Sequence, residues 1–137
     1  MARFQREGLV LQDRLAFVES YKGNALQAVN LRGRIVCCED VIIKVDKWLD
    51  MRRAPHKPTE VKGSDYVYHA WLRGRKQYLI RYCSHTLEDL HCHHYDLETG
   101  EETERNPITL NELPTLGDFI PYAIELGRAA TRIREGR

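Results

Sequence analysis

The run Tyr66-Val67-Tyr68-His69-Ala70-Trp71-Leu72-Arg73-Gly74-Arg75-Lys76-Gln77-Tyr78-Leu79-Ile80-Arg81-Tyr82-Cys83 decides the fold class of this chain. Tyr66, Tyr68, Ala70 and Leu72 alternate with Val67, His69, Trp71 and Arg73. After the turn signal Arg73-Gly74-Arg75-Lys76, the residues Tyr78, Ile80 and Tyr82 alternate with Leu79, Arg81 and Cys83. Successive side chains of a strand point to opposite faces, so two such runs around a glycine turn predict an antiparallel hairpin.

Working outward, a third extended run from His91 to Leu97 ends at the turn signal Glu98-Thr99-Gly100-Glu101. Upstream, Val41, Ile43 and Val45 fall on one side of a period-two pattern with Lys44 and Asp46 opposite, which predicts a half-buried strand. Its phase slips at Lys47-Trp48-Leu49, as an edge bulge or a strand end would produce. Residues 8–21 suit a strand or a short helix, Lys22-Gly23-Asn24 is a turn signal, and the run after it suits the second arm of a hairpin ending at another turn, Arg32-Gly33-Arg34. The polar residues 52–64, with Pro55, Pro58 and Gly63, predict a mobile loop ahead of the histidine-rich region.

Leu116, Phe119, Ile120, Ala123, Ile124, Gly127, Ala130 and Ile133 recur at three- and four-residue steps, a helical stripe suited to covering one face of the sheet. Pro121 bears on where that helix starts. With Thr115 as the cap, Pro121 falls in the helix interior, whereas with Asp118 as the cap it falls in the tolerant first turn, and this second start is the expectation.

The chain has 137 residues and is 42% hydrophobic, enough for a single folded domain over residues 1–137. Its 21 basic and 20 acidic residues cancel, so no global field steers it to nucleic acid or an anionic membrane. The first residues lack a signal-peptide core, and no apolar stretch is long enough for a spanning helix, so a soluble, cytoplasmic protein with reduced thiols is expected.

Residues 65–96 hold the chemistry. Five of the 6 histidines, two of the 4 cysteines and five of the 7 tyrosines lie there. As a strand, the run after Leu90 turns His91, His93 and Tyr95 to one face and Cys92, His94 and Asp96 to the other. One chemistry is metal-free phosphodiester cleavage, with one histidine as base, another as acid, and Arg81 holding the phosphate. Histidine suits it because an unperturbed pKa of about 6.5 keeps both protonation states present at neutral pH. His85, His93 and Arg81 lead this set without fixed assignment, with Tyr82, His69 and His94 around them. A zinc site is the alternative, drawing on Cys83, His85, His91, Cys92 and His93, but no C-x-x-C, H-x-x-x-H or H-E-x-x-H clip is present, so strand geometry must assemble it. The same side chains also suit a half-polar sheet surface whose members hydrogen-bond one another, or a face or edge that binds another protein.

In their order, the Y-x-Y-H of Tyr66 to His69, the L-I-R-Y of Leu79 to Tyr82, His85, the pair His93-His94 and the P-T-L-x-D-h-I of Pro114 to Ile120 resemble the TumE family, the toxin halves of prokaryotic toxin–antitoxin pairs. The resemblance spans about half the chain and departs from the family pattern at Cys83-Ser84 and Asp96. It implies a small intracellular protein with an antitoxin as partner, and RNA or another intracellular macromolecule as target. The expectation is therefore an α+β domain, a mostly antiparallel sheet of five or six strands covered on one face by a C-terminal helix. A toxin-like, metal-independent ribonuclease is the expected function, with a protein-binding module or a zinc protein as rivals.

Overall fold

The structure, a computed structural model, describes residues 1–50, 60–61, 67–75, 77–84 and 89–136. His56, Tyr66, His85 and, except for Glu60 and Val61, the polar loop of residues 52–64 lie outside the described residues.

Val41, Ile43 and Val45 are fully buried, and the strand that carries them is an inner strand of the sheet. The elements run α1 (Ala2–Arg6), β1 (Val10–Lys22), β2 (Ala25–Cys37), β3 (Val41–Asp50), β4 (Glu60–Val61), β5 (Tyr68–Leu72), β6 (Gln77–Ser84), β7 (Leu90–Tyr95), β8 (Glu102–Pro107) and α2 (Leu116–Arg134). They form one antiparallel sheet in the order β1-β2-β3-β5-β6-β7-β8, with β4 paired to the end of β3. The α+β architecture matches the sequence pattern, and the β5–β6 hairpin is where the alternation places it. Among the described residues the sheet has 8 strands instead of the expected five or six. One addition, β8, is polar and largely exposed, so it carries no hydrophobic alternation to read.

Three local expectations are corrected. Arg32-Gly33-Arg34 is not a turn, because β2 runs straight through it and Gly33 pairs with Leu15 of β1. Gly33 adopts φ +141, and a Cβ there would lie 2.1 Å from the Arg14 carbonyl oxygen, so glycine serves close strand approach at this position. The turn falls instead at Glu39 and Asp40, both at positive φ. No glycine or asparagine marks it. Tertiary contacts hold it: the Arg73 N–H donates to the Asp40 carbonyl at 2.7 Å, and Arg128 Nε lies 3.4 Å from the Glu39 carboxylate. Second, β3 continues past Lys47 and Trp48 in unbroken register with β2, because the ladder to β2 runs on to Asp50 after the ladder to β5 ends at Val45.

Third, α2 begins one turn earlier than expected. The Thr115 hydroxyl accepts from the Asp118 N–H at 3.2 Å, and Pro121 lies inside the helix. Packing outweighs the missing bond at Pro121: Phe119, Ile120, Ala123 and Ile124 are each 0 to 1% exposed against the sheet. Full burial of such side chains is worth about 1.5–3 kcal/mol apiece. Phe119 stacks on Tyr68 with centroids 4.8 Å apart and meets Tyr82 edge-on at 5.9 Å. Farther along, a Cβ on Gly127 would lie 2.4 Å from Val41 Cγ2, so this glycine sets how closely helix and sheet approach. No described helix is long and apolar enough to cross a membrane.

Candidate functional site

Cross-strand register decides which reactive side chains meet. On β6 and β7, Cys83 lies opposite His91 and Arg81 opposite His93, while β5 brings His69 opposite Arg81. Directly opposed residues share a face. Tyr82 on the intervening phase contacts Phe119 of α2, so Arg81, Cys83, His91, His93 and His69 belong to the face turned away from the helix.

Cys83, His91 and His93 are buried, 4 to 7% exposed, and their ligand atoms all lie within 4.8 Å of one another. Both imidazoles are tied down on the far side. His91 Nδ1–H donates to the Asp89 carbonyl at 2.9 Å, and His93 Nδ1–H donates to the Glu102 carboxylate. Each bond selects the tautomer whose Nε2 carries no proton. Arg81 Nη2 donates to that nitrogen of His93 at 3.3 Å, and Arg81 Nε is buried with no hydrogen-bond partner among the described residues. The His91 and His93 rings meet edge to face at 4.8 Å.

The electrostatics favour the neutral forms of His69 and His91. Burial, reinforced by Arg81, Lys44 and His93, pushes His69 down to about 4. Burial also lowers His91, against the opposing pull of the Asp89 carbonyl. The hydrogen bond from His93 holds the Glu102 carboxyl below its ordinary value. On the helix side, burial raises the Cys92 thiol to about 11 and raises the Tyr82 hydroxyl as well.

Of the residues expected from sequence, the structure gathers Arg81, Cys83, His91 and His93, with His69 beside Arg81. It places Tyr82 and Cys92 opposite each other beneath α2, and His94 opposite Ile80 on that same phase. His85 lies outside the described residues. Glu102 and Asp89 escape the sequence reading. The one signal for Glu102 is the turn at residues 98–101, because a hairpin closed there carries residues beyond 101 back alongside β7.

Among the described residues, the cluster offers one thiol and two imidazole nitrogens from two adjacent strands, the soft, borderline donor set that zinc prefers over magnesium or calcium. Comparison of the chain with protein-family models, curated proteins and solved structures returns no match.

Proposed function

We propose that Cys83, His91 and His93 hold a zinc ion, and that the protein uses this centre for hydrolysis. The observation that carries this reading is the convergence of three buried ligand atoms within 4.8 Å, with both histidines oriented by oxygens on their outer nitrogens. Zinc bonds of about 2.1 Å to nitrogen and 2.3 Å to sulfur place ligand atoms about 3.5 Å apart, so side-chain adjustment of about an ångström closes the site. A metal held by His93 Nε2 would take the lone pair that Arg81 Nη2 now meets at 3.3 Å, and the Arg81 guanidinium beside the site would supply positive charge to a developing oxyanion. Zinc with three protein ligands supplies an activated water at neutral pH.

The test is metal analysis of the purified protein beside thermal melts with and without chelator. Stoichiometric zinc, a melting point lowered by chelator, and loss of both effects in Cys83→Ser support the centre. A protein that takes up no zinc and melts identically in both conditions overturns it.

A second reading uses the same residues without metal, as a toxin with ribonuclease activity. The 3.3 Å contact of Arg81 with His93, whose Nδ1 is held by Glu102, favours it, because a carboxylate-oriented base then stands next to a phosphate holder. The acid is its weak point, since His69 at about 4 is neutral at physiological pH. RNA cleavage that persists in chelator and is lost in His93→Ala selects this reading. The resemblance to the TumE family supplies the setting for either chemistry: growth arrest on expression, relieved by a co-expressed antitoxin, is its test.

A further inference from the structure

One register row crosses the whole sheet. Arg14 on β1 lies opposite Arg34 on β2, Arg34 opposite Lys44 on β3, Lys44 opposite His69 on β5, His69 opposite Arg81 on β6, Arg81 opposite His93 on β7, and His93 opposite Arg105 on β8. Every member is a cation or a histidine. At about 4.8 Å per strand the row spans about 29 Å. Opposed like charges destabilise a sheet, so an anion lying along the cationic members of the row stabilises it. The chain as a whole carries a formal charge of just +1, which makes this a local concentration of charge rather than a basic protein.

The β1–β3 end of the row is concave. A cavity of about 540 Å³ is lined by Arg14, Arg32, Arg34 and Lys44 with Asp46 as its acidic member, and a neighbouring one of about 330 Å³ by Arg14, Arg34, Trp71 and Arg73. Arg14, Arg32, Arg34 and Arg73 are exposed. The Arg34 guanidinium lies 5.5 Å over the Trp71 ring.

A second row, one step along the strands, is aromatic. Trp71 lies opposite Tyr78, and the Tyr78 and Tyr95 rings meet at 5.4 Å. His69 joins the rows, 5.1 Å from Trp71 and 4.7 Å from Tyr78. Cations in a line with ring faces beside them match the two parts of a single-stranded polynucleotide, a charged backbone and unstacked bases. A duplex hides its base faces, and an acidic peptide matches only the cations.

We infer that this face is a binding groove for single-stranded nucleic acid, with phosphates along Arg14, Arg34 and Lys44 and bases against Trp71 and Tyr78. A strand lying there continues along the row to Arg81 and His93, so its phosphodiester is the bond presented to the hydrolytic centre. That last step rests on the proposed centre, whereas the binding does not.

The experiment measures binding of fluorescein-labelled single-stranded RNA and DNA, about 16 nucleotides long, by anisotropy across a salt series, with unlabelled duplex as competitor. The expected result is an affinity whose logarithm falls linearly with the logarithm of salt, with the slope reduced by about 0.7 for each of Arg14→Ala and Arg34→Ala. Trp71→Ala should weaken binding by about five- to 150-fold and Trp71→Phe by much less. Tighter RNA than DNA binding assigns the groove to RNA, and equal binding assigns it to single strands of either sugar. The inference is overturned if neither polymer binds at about 50 mM salt, if the duplex competes better than single strands, or if binding is unchanged in folded Arg14, Arg34 and Trp71 variants. Binding by a protein that takes up no zinc sinks the metal centre and keeps the groove. Zinc without binding does the reverse.

Discussion

Arg81 and His93 face each other across β6 and β7, with Nη2 and Nε2 3.3 Å apart. In the proposed centre the guanidinium and the metal compete for one lone pair. Arg81→Ala should therefore tighten zinc binding by about tenfold or more, by removing a neighbouring positive charge. The same change should slow any hydrolysis by about 100- to 1,000-fold, by removing an oxyanion donor. Chelator competition and turnover, measured on one variant, should move in opposite directions. Weaker zinc binding in Arg81→Ala would contradict the competition.

Glu102 reaches His93 from β8 and orients its ring. Replacing it with glutamine should lower zinc affinity by about ten- to 100-fold, the usual effect of losing such an outer partner. His94→Ala, one residue from the ligand but opposite Ile80 on the helix phase, should leave zinc stoichiometry unchanged. If both variants lose metal equally, the assignment of faces is wrong.

His69 provides a pH test. Burial holds it near 4 in the fold, against an unfolded value of about 6.5. Between these values the unfolded chain binds a proton that the folded chain does not, so stability falls as pH drops from about 6.5 towards 4 and the effect is complete below that. His69→Phe, which retains an aromatic ring beside Trp71 and Tyr78, should lose less stability than the parent over this window. Parallel melts at pH 7 and pH 4.5 read the difference, and identical slopes would show that His69 titrates normally.

The approach of α2 to the sheet depends on Gly127. A Cβ there meets Val41 Cγ2 at 2.4 Å, so Gly127→Ala should destabilise by about 1–3 kcal/mol through overpacking. In a Val41→Ala background the added cost should shrink. Denaturant titration of the double-mutant cycle checks the coupling, and strict additivity would rule out the contact.

The start of α2 is tested by a pair of opposite effects. Thr115→Ala should cost about 0.5–2 kcal/mol through the lost cap. Pro121→Ala, which restores an interior N–H, should stabilise by about 1 kcal/mol or more. A helix starting at Asp118 would reverse the first expectation, leaving Thr115→Ala neutral.

Local chemistry made part of this legible in advance. Alternation in residues 68–84 and the stripe from Leu116 to Ala130 reflect how far apart side chains sit along one strand or one helix turn, which the chain alone dictates. The alternation also separated His91 and His93 from Cys92 and His94 before any pairing was known. Where local chemistry misled, a distant contact was responsible: the Glu39–Asp40 turn is held by Arg73 and Arg128, and Gly33 answers the Arg14 carbonyl across the sheet.

Sequence by itself determined the β5–β6 hairpin, the strands β3 and β7, the C-terminal helix and the stretch that holds the reactive side chains. Only the tertiary structure decided that Cys83 stands opposite His91, that Glu102 returns to His93, and that seven residues from seven strands align into one row of cations and histidines. The physical reason is register. A one-residue slip between strands exchanges the faces of every side chain, and register is set by packing across the whole sheet rather than by any run of neighbours along the chain.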